Sequence, residues 1–107
     1  ATVAVPVFDR GLEIARAGAR LIGRAAEIVV VEGNWLLLDE APWNAVRPWL
    51  DLTAMLQVPE PVLRARLEAR WRDLGFDPAS IAAKVDGNDL PNARRVLAAS
   101  AVADLVL

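Results

Sequence analysis

Glu32 follows the apolar run Ile28-Val29-Val30-Val31 and precedes Gly33-Asn34. In open α/β sheets, ligands bind beyond the carboxyl ends of the strands. A carboxylate there, beside a glycine that admits a close backbone or ligand, suits an outer-sphere contact to hydrated Mg2+. That ion keeps several waters and takes few direct carboxylates, so one Glu is adequate. The plainer role for Glu32 is a strand-ending side chain turned to solvent.

Arg66 and Arg70 are four residues apart and share a face if their segment is helical. Arg64 and Arg72 each lie four residues from Glu68, and Arg70 has Asp73 three residues on. Arg66 has no acid at either helical spacing. Like charges four apart repel unless an anion bridges them, and phosphate is the natural anion for arginine forks. The same residues also read as a solvated basic face.

Pro6-Val7-Phe8-Asp9-Arg10 leads from apolar residues into an aromatic, an acid and a base. In such a turn Asp9 can accept from substrate hydroxyls while Phe8 forms a wall; an Asp9–Arg10 surface pair at a strand exit is the simpler account. In Asn88-Asp89-Leu90-Pro91-Asn92, Asp89 is expected to cap a helix, leaving Asn88 and Asn92 to meet a ligand. Asp39-Glu40 reads as capping or surface, since adjacent loop residues fix no carboxylate separation.

The elements that must hold these residues are of α/β type. Glu27–Val31 and Asp51–Val58 are near-continuous apolar runs, as in strands buried on both faces of a parallel sheet. Asp104–Leu107 is a third such run. Glu60-Pro61 opens a helix that Gly75 stops, with Leu63, Leu67, Trp71 and Leu74 as its buried stripe. Asp77-Pro78 opens a second helix with Gly87 as its stop, and Asp89 a third running to about Ser100. Residues 34–50 read as a loop with a short helix. In residues 9–24, Gly18 and poor apolar spacing favour a loop and an edge strand over a helix. Two or three doubly buried strands need more sheet neighbours than this chain contains.

Composition narrows the chemistry. There are no cysteines and no histidines, which removes disulfides, thiol chemistry and histidine bases, and speaks against zinc sites. Net charge is −2 with pI near 5.0, giving no basic stripe for nucleic acid. No apolar run approaches the roughly 20 residues of a membrane-spanning helix, so a soluble, cytoplasmic protein is expected. The sequence starts at Ala1-Thr2-Val3 without Met, like a strand entered midway.

Taken in order, PVFDR, IVVVEGNWLLLDEAPW, the Val58-Pro59-Glu60 exit with LRARLEARW, then GNDLPNAR and ADLVL resemble P-loop kinases of the phosphoribulokinase, uridine kinase and pantothenate kinase group. The resemblance is nearest to the fructose-transport-associated, fructokinase-like or nucleoside-kinase-like branch and covers essentially the whole chain. It implies transfer of the ATP γ-phosphoryl to a hydroxyl of a sugar, nucleoside or similar small molecule. By the resemblance, Glu32 lies near Mg2+ and the reacting hydroxyl, and Arg66 and Arg70 are lid residues on the phosphates. Phe8, Asp9 and Arg10 line the acceptor pocket, with Asn88 and Asn92 at the substrate or nucleotide edge.

No G-x-x-x-x-G-K-[ST] stretch occurs, so the phosphate cradle and the Ser/Thr ligand of Mg2+ are absent from the sequence. The expected architecture is therefore residues 1–107 as the C-terminal part of a P-loop NTPase fold, a parallel sheet flanked by helices without the N-terminal strands and Walker A loop. Its expected partners are that missing segment and a small-molecule substrate, with self-association left open. Two other readings stand beside it: a kinase remnant that binds without catalysis, and an unrelated small α/β binding module.

Overall fold

Pro6 has no N–H to give to a ladder, and it sits where the ladder is interrupted. β1 (Val3–Asp9) pairs antiparallel with β2 (Ile14–Ile22), and the register passes from Val5↔Arg20 to Val7↔Arg16. Two steps along β1 thus face four along β2. The surplus on β2 contains Gly18 at φ 62°, a left-handed conformation that glycine adopts without a Cβ penalty. The strand expected within residues 9–24 is present, but as one arm of an antiparallel hairpin, so the two-stranded sheet here is not parallel. The computed structural model describes residues 2–107; Ala1, the first residue of the expected opening strand, lies outside them.

The run Ile28–Val31 joins no ladder among the described residues, and Ile28 and Val30 are 84% and 87% exposed. The strand expected there does not form. β-branched residues favour a pleated conformation only when a neighbour pairs the backbone and covers the side chains, and this chain offers neither at that point. The chain divides into two compact units, the first ending at Val31 and the second running from Glu32 to Leu107.

In the second unit, β3 (Ala54–Met55) pairs parallel with β4 (Leu105–Val106). The hydrogen bonds Leu105 N to Thr53 O, Leu107 N to Met55 O and Gln57 N to Leu107 O carry the pairing past both strand ends. Both late apolar runs are therefore strands, though shorter than their patterns suggest. Leu38 and Ser100 form an isolated antiparallel bridge, and a short 3-10 helix spans Trp43–Trp49.

Helix α1 (Glu60–Asp73) begins with Pro61 in its first turn and ends before Gly75, whose φ is 84°. Glu60 near its start and Arg70 and Arg72 near its end complement the helix dipole. Asp77 caps α2 (Pro78–Lys84), its Oδ1 accepting from the N–H groups of Ala79 and Ser80 at 3.1 Å each. Gly87 does not stop this helix. It stays out of the left-handed region, and the chain continues through a π-helical turn (Val85–Asp89) into α3 (Leu90–Ala99). Asp89 accordingly has helical backbone angles and caps nothing; its carboxylate is used elsewhere.

Ile81, Val85 and Leu90 form the buried cluster that joins α2, the π turn and α3, with Leu63, Leu67 and Trp71 of α1 packed against it. Val85 and Leu90 are essentially inaccessible, and full burial of such side chains stabilises by about 1.5–3 kcal/mol each. Leu74, expected in the same stripe, is exposed because it lies past the last turn of α1.

Candidate functional site

The π turn and the last turn of α1 face one groove. Its volume is about 420 Å3, and its polar lining comes from Asn34, Arg70, Asn88, Asp89 and Asn92. The floor is apolar, built from Met55 of β3, Leu63 and Leu67 of α1, and Val96 and Leu97 of α3. An apolar floor with a few convergent polar groups is the usual make-up of a small-molecule site.

The polar rim is a connected network. Asn92 Nδ2 donates to Asn88 Oδ1 at 3.1 Å, and Asn88 Nδ2 donates to Asp89 Oδ1 at 3.1 Å. The other Asp89 oxygen accepts from Trp71 Nε1 at 2.7 Å. π-helical turns are rare, recur at functional sites and re-aim the residues that follow. Here the turn supplies Asn88 and Asp89 to the rim.

On α1, the acids distribute differently from the spacing alone. Arg64 does reach Glu68 at 3.5 Å, but its shorter contact is to Asp86 of the π turn. That hydrogen bond raises the Arg64 pKa and holds the Asp86 carboxyl below its ordinary value. Glu60 is engaged by Arg94, whose hydrogen bonds at 2.8 and 2.5 Å lower its pKa. The pairs Arg72–Glu68 and Arg70–Asp73 do not form among the described residues. Arg66 and Arg70 therefore both lack an acidic partner there. Arg70 instead lies over the Trp71 ring, 5.7 Å from its centroid. Arg70 lines the groove and Arg66 does not.

Glu32 opens the second unit as an exposed side chain and is not part of the groove lining, although Asn34, two residues on, is. The room left by Gly33 is taken within the chain. A Cβ there would come within 3.3 Å of Leu36 Cγ.

In the first unit, Asp9 is largely committed. Its Oδ1 accepts from the N–H groups of Gly11 and Leu12 at 3.1 and 3.2 Å, which shapes the hairpin turn, and its Oδ2 lies 3.5 Å from Arg16. Its charge partner is thus Arg16 across the ladder rather than Arg10. Arg10 sits over the Phe8 ring at 4.8 Å from the centroid, leaving Phe8 about half exposed.

Sequence reasoning missed Asn34 and the joint role of Trp71 and Asp89. Asn34 adjoins the Glu32-Gly33 pair and could have been read with it. The link from Trp71 to Asp89 spans 18 residues, and only the unbroken passage from α2 to α3 brings it about.

No group of three or more acidic, histidine or cysteine side chains stands ready to cage a metal among the described residues. Glu32 is a single exposed carboxylate outside the groove lining. Arg70 brings to the groove a guanidinium without an acidic partner among the described residues, while a backbone cradle for a nucleotide's phosphates has no counterpart in the sequence.

No protein-family model matches the chain. Two curated relatives and two solved structures place it nevertheless. An uncharacterized protein of Escherichia coli, YggC, is 37% identical over 82 residues, which are 77% of this chain and 35% of that protein. The ATP-dependent kinase YFH7 of Lachancea thermotolerans is 33% identical over 103 residues, covering 89% of this chain and 29% of that one. The crystal structure of a candidate fructose transport system kinase from a Silicibacter species superposes with a TM-score of 0.90 at 40% identity, over 99% of this chain and 52% of that one. YFH7 of Saccharomyces cerevisiae, described as a candidate P-loop kinase with a circular permutation, gives 0.79 at 23% identity over 99% of this chain and 34% of that one, a likeness of fold.

Over most of its length the chain is thus similar to proteins named as kinases, and it shares the fold of yeast YFH7. It spans between about a third and a half of the length of these relatives.

Proposed function

We propose that this chain is the C-terminal part of an ATP-dependent small-molecule kinase. The whole protein would transfer the γ-phosphoryl group of ATP to a hydroxyl of a sugar such as fructose, or of a nucleoside. The observation that carries the reading is the groove, in which Arg70, without an acidic partner among the described residues, meets Asn88 and Asn92 over an apolar floor. An arginine left unpaired beside amide groups has free donors for phosphate oxygens. The names of the relatives with an assigned activity supply the reaction class.

Within that reading, Arg70 and Arg66 act as lid residues on the phosphates. Asn88 and Asn92 hold the substrate or nucleotide edge through their free amide valences. Glu32 is the catalytic carboxylate on the magnesium side. Phe8, Asp9 and Arg10 offer a wall of the acceptor pocket. Most of the Asp9 carboxylate is already spent on the hairpin turn, so Phe8 and Arg10 carry more of that role. When bound, ATP with Mg2+ supplies the transferable phosphoryl group, and the side chains named here orient it and offset its charge. The sheet and phosphate cradle are completed by a segment outside this sequence, which the exposed run Ile28–Val31 is suited to join. A cytoplasmic location goes with small-molecule kinase chemistry.

Equilibrium binding of MgATP to the full-length gene product tests the phosphate-facing role. Arg70→Ala should weaken it by about tenfold, the loss of a charge-assisted contact. Unchanged affinity would remove Arg70 from the site. Absence of any MgATP binding by the wild-type protein would favour the non-catalytic remnant instead.

A further inference from the structure

We infer that Asp89 is a positioning residue for Arg70, acting through the indole N–H of Trp71. Trp71 directly follows Arg70 on α1 and is held from several sides. Its N–H donates to Asp89 Oδ2 at 2.7 Å. The Lys84 ammonium, the only lysine in the sequence, lies 4.6 Å from its ring centroid and equally 4.6 Å from that of Phe76. Phe76 meets the indole edge-to-face at 5.3 Å, and the cluster of Ile81, Val85 and Leu90 packs against it.

Of these contacts only the one to Asp89 is directional. Packing and cation–π attraction allow an indole to slide or tip, whereas its single N–H must find an acceptor or lose a hydrogen bond in a partly buried place. The acceptor comes from the π turn, the same turn that presents Asn88 to the groove. Asp89 therefore ties the groove face of α1 to the π turn. Arg64 to Asp86 and Arg94 to Glu60 also anchor α1, nearer its start, and the Trp71–Asp89 bond fixes its last turn, and with it the direction of Arg70 toward Asn88 and Asn92. The π turn carries the chain from α2 into α3 without the break that a capping Asp89 would make.

This inference rests on the reading of Arg70 as a phosphate-facing side chain, and the test separates the two. The variants are Asp89→Leu, Asp89→Asn, Trp71→Phe and, as control, Arg70→Ala, all in the full-length gene product. Three readouts are taken: the Trp71 indole N–H resonance, thermal stability, and MgATP affinity by titration. Asp89→Asn keeps an acceptor oxygen and should retain the indole resonance position and an affinity within about twofold of wild type. Asp89→Leu and Trp71→Phe should each weaken MgATP by about three- to tenfold; Asp89→Leu also loses the bond from Asn88, but the double variant should be no weaker than the worse single, because the Trp71–Asp89 bond is lost in both. A merely structural role would lower thermal stability in these variants while leaving the affinity of the folded fraction at the wild-type value, and that result overturns the inference. If Arg70→Ala itself leaves affinity unchanged, the reading of Arg70 fails and the positioning inference fails with it. If Arg70→Ala weakens binding but Asp89→Leu does not, only the positioning inference fails.

Discussion

Thr53 and Asp104 are joined by three hydrogen bonds across a separation of 51 residues. Asp104 Oδ2 accepts from Thr53 N at 2.8 Å and from Thr53 Oγ1 at 2.6 Å, and Asp104 N donates to Thr53 Oγ1 at 3.1 Å. Arg47 Nη1 donates to the same hydroxyl at 2.6 Å. This cluster lies where β3 and β4 begin and fixes the register of the parallel pair, which is itself only two residues long.

Thr53 is 4% exposed, so its hydroxyl cannot be replaced by water without opening the strand pair. Thr53→Val should destabilise the protein by about 1–3 kcal/mol, the loss of the hydroxyl's hydrogen bonds to two charged, partly exposed groups. In a melting experiment this is a fall of about 5–15 °C. Thr53→Ser, which keeps the hydroxyl, should recover most of it. Equal melting temperatures for Thr53→Val and wild type would show that the cluster does not hold the strands.

Acid should weaken the fold through a definable set of carboxylates. The Thr53 hydroxyl and N–H lower the pKa of Asp104, the Ser80 hydroxyl and N–H that of Asp77, Arg64 that of Asp86, Arg94 that of Glu60 and Arg95 that of Glu40. A carboxylate whose pKa is lower in the folded state favours folding fully above its unfolded value. That contribution is lost as pH falls through the folded value. Melting temperature should therefore be flat with respect to these groups above about pH 5 and fall below about pH 4. Asp77→Asn should make that fall shallower; a melting temperature that does not change between pH 5 and pH 2 would contradict the assignment.

Glu32→Gln removes the charge proposed to face magnesium and the reacting hydroxyl. In the full-length gene product it should lower kcat by about 10- to 100-fold, the scale of outer-shell carboxylate losses. MgATP affinity should stay within about threefold, since the phosphates are held elsewhere. An unchanged kcat would take Glu32 out of the mechanism.

The exposed run Ile28–Val31 yields a paired experiment. In the 107-residue chain, Val30→Asp should leave the melting temperature within about 2 °C, since exposed substitutions seldom exceed 0.5 kcal/mol. In the full-length gene product the same change should destabilise strongly, because a charge would enter a covered sheet. Indifference in both proteins would mean that no further strand covers this run.

How much of this was legible in the sequence follows the range of each interaction. The opening of α1 at Glu60-Pro61, its stop at Gly75 and the Asp77 cap rest on local chemistry, and they stand as the sequence indicates. Gly87 was misleading because glycine permits a stop without requiring one, and burial of Val85 and Leu90 carries the helix across it. Ile28–Val31 has strand composition, but pairing is not a local property. At the site, the helix face of Arg70 and the placement of Asn88 and Asn92 on one rim follow from spacing and from the helix that carries them. The tertiary partners of α1 do not. Arg64 turns to Asp86, 22 residues away, and Trp71 to Asp89, neither of which a spacing of three or four reveals.

Phosphoryl transfer to a small hydroxyl compound can be followed in a single assay. The full-length gene product is incubated with MgATP and a panel of sugars, nucleosides and pantothenate-like alcohols, and ADP and phosphomonoester are quantified together. At least one acceptor should yield a phosphomonoester in step with ADP, at a rate well above ATP hydrolysis alone, while the 107-residue chain yields neither. If no acceptor raises ATP consumption by the full-length protein, or if the 107-residue chain turns over ATP by itself, the account is contradicted.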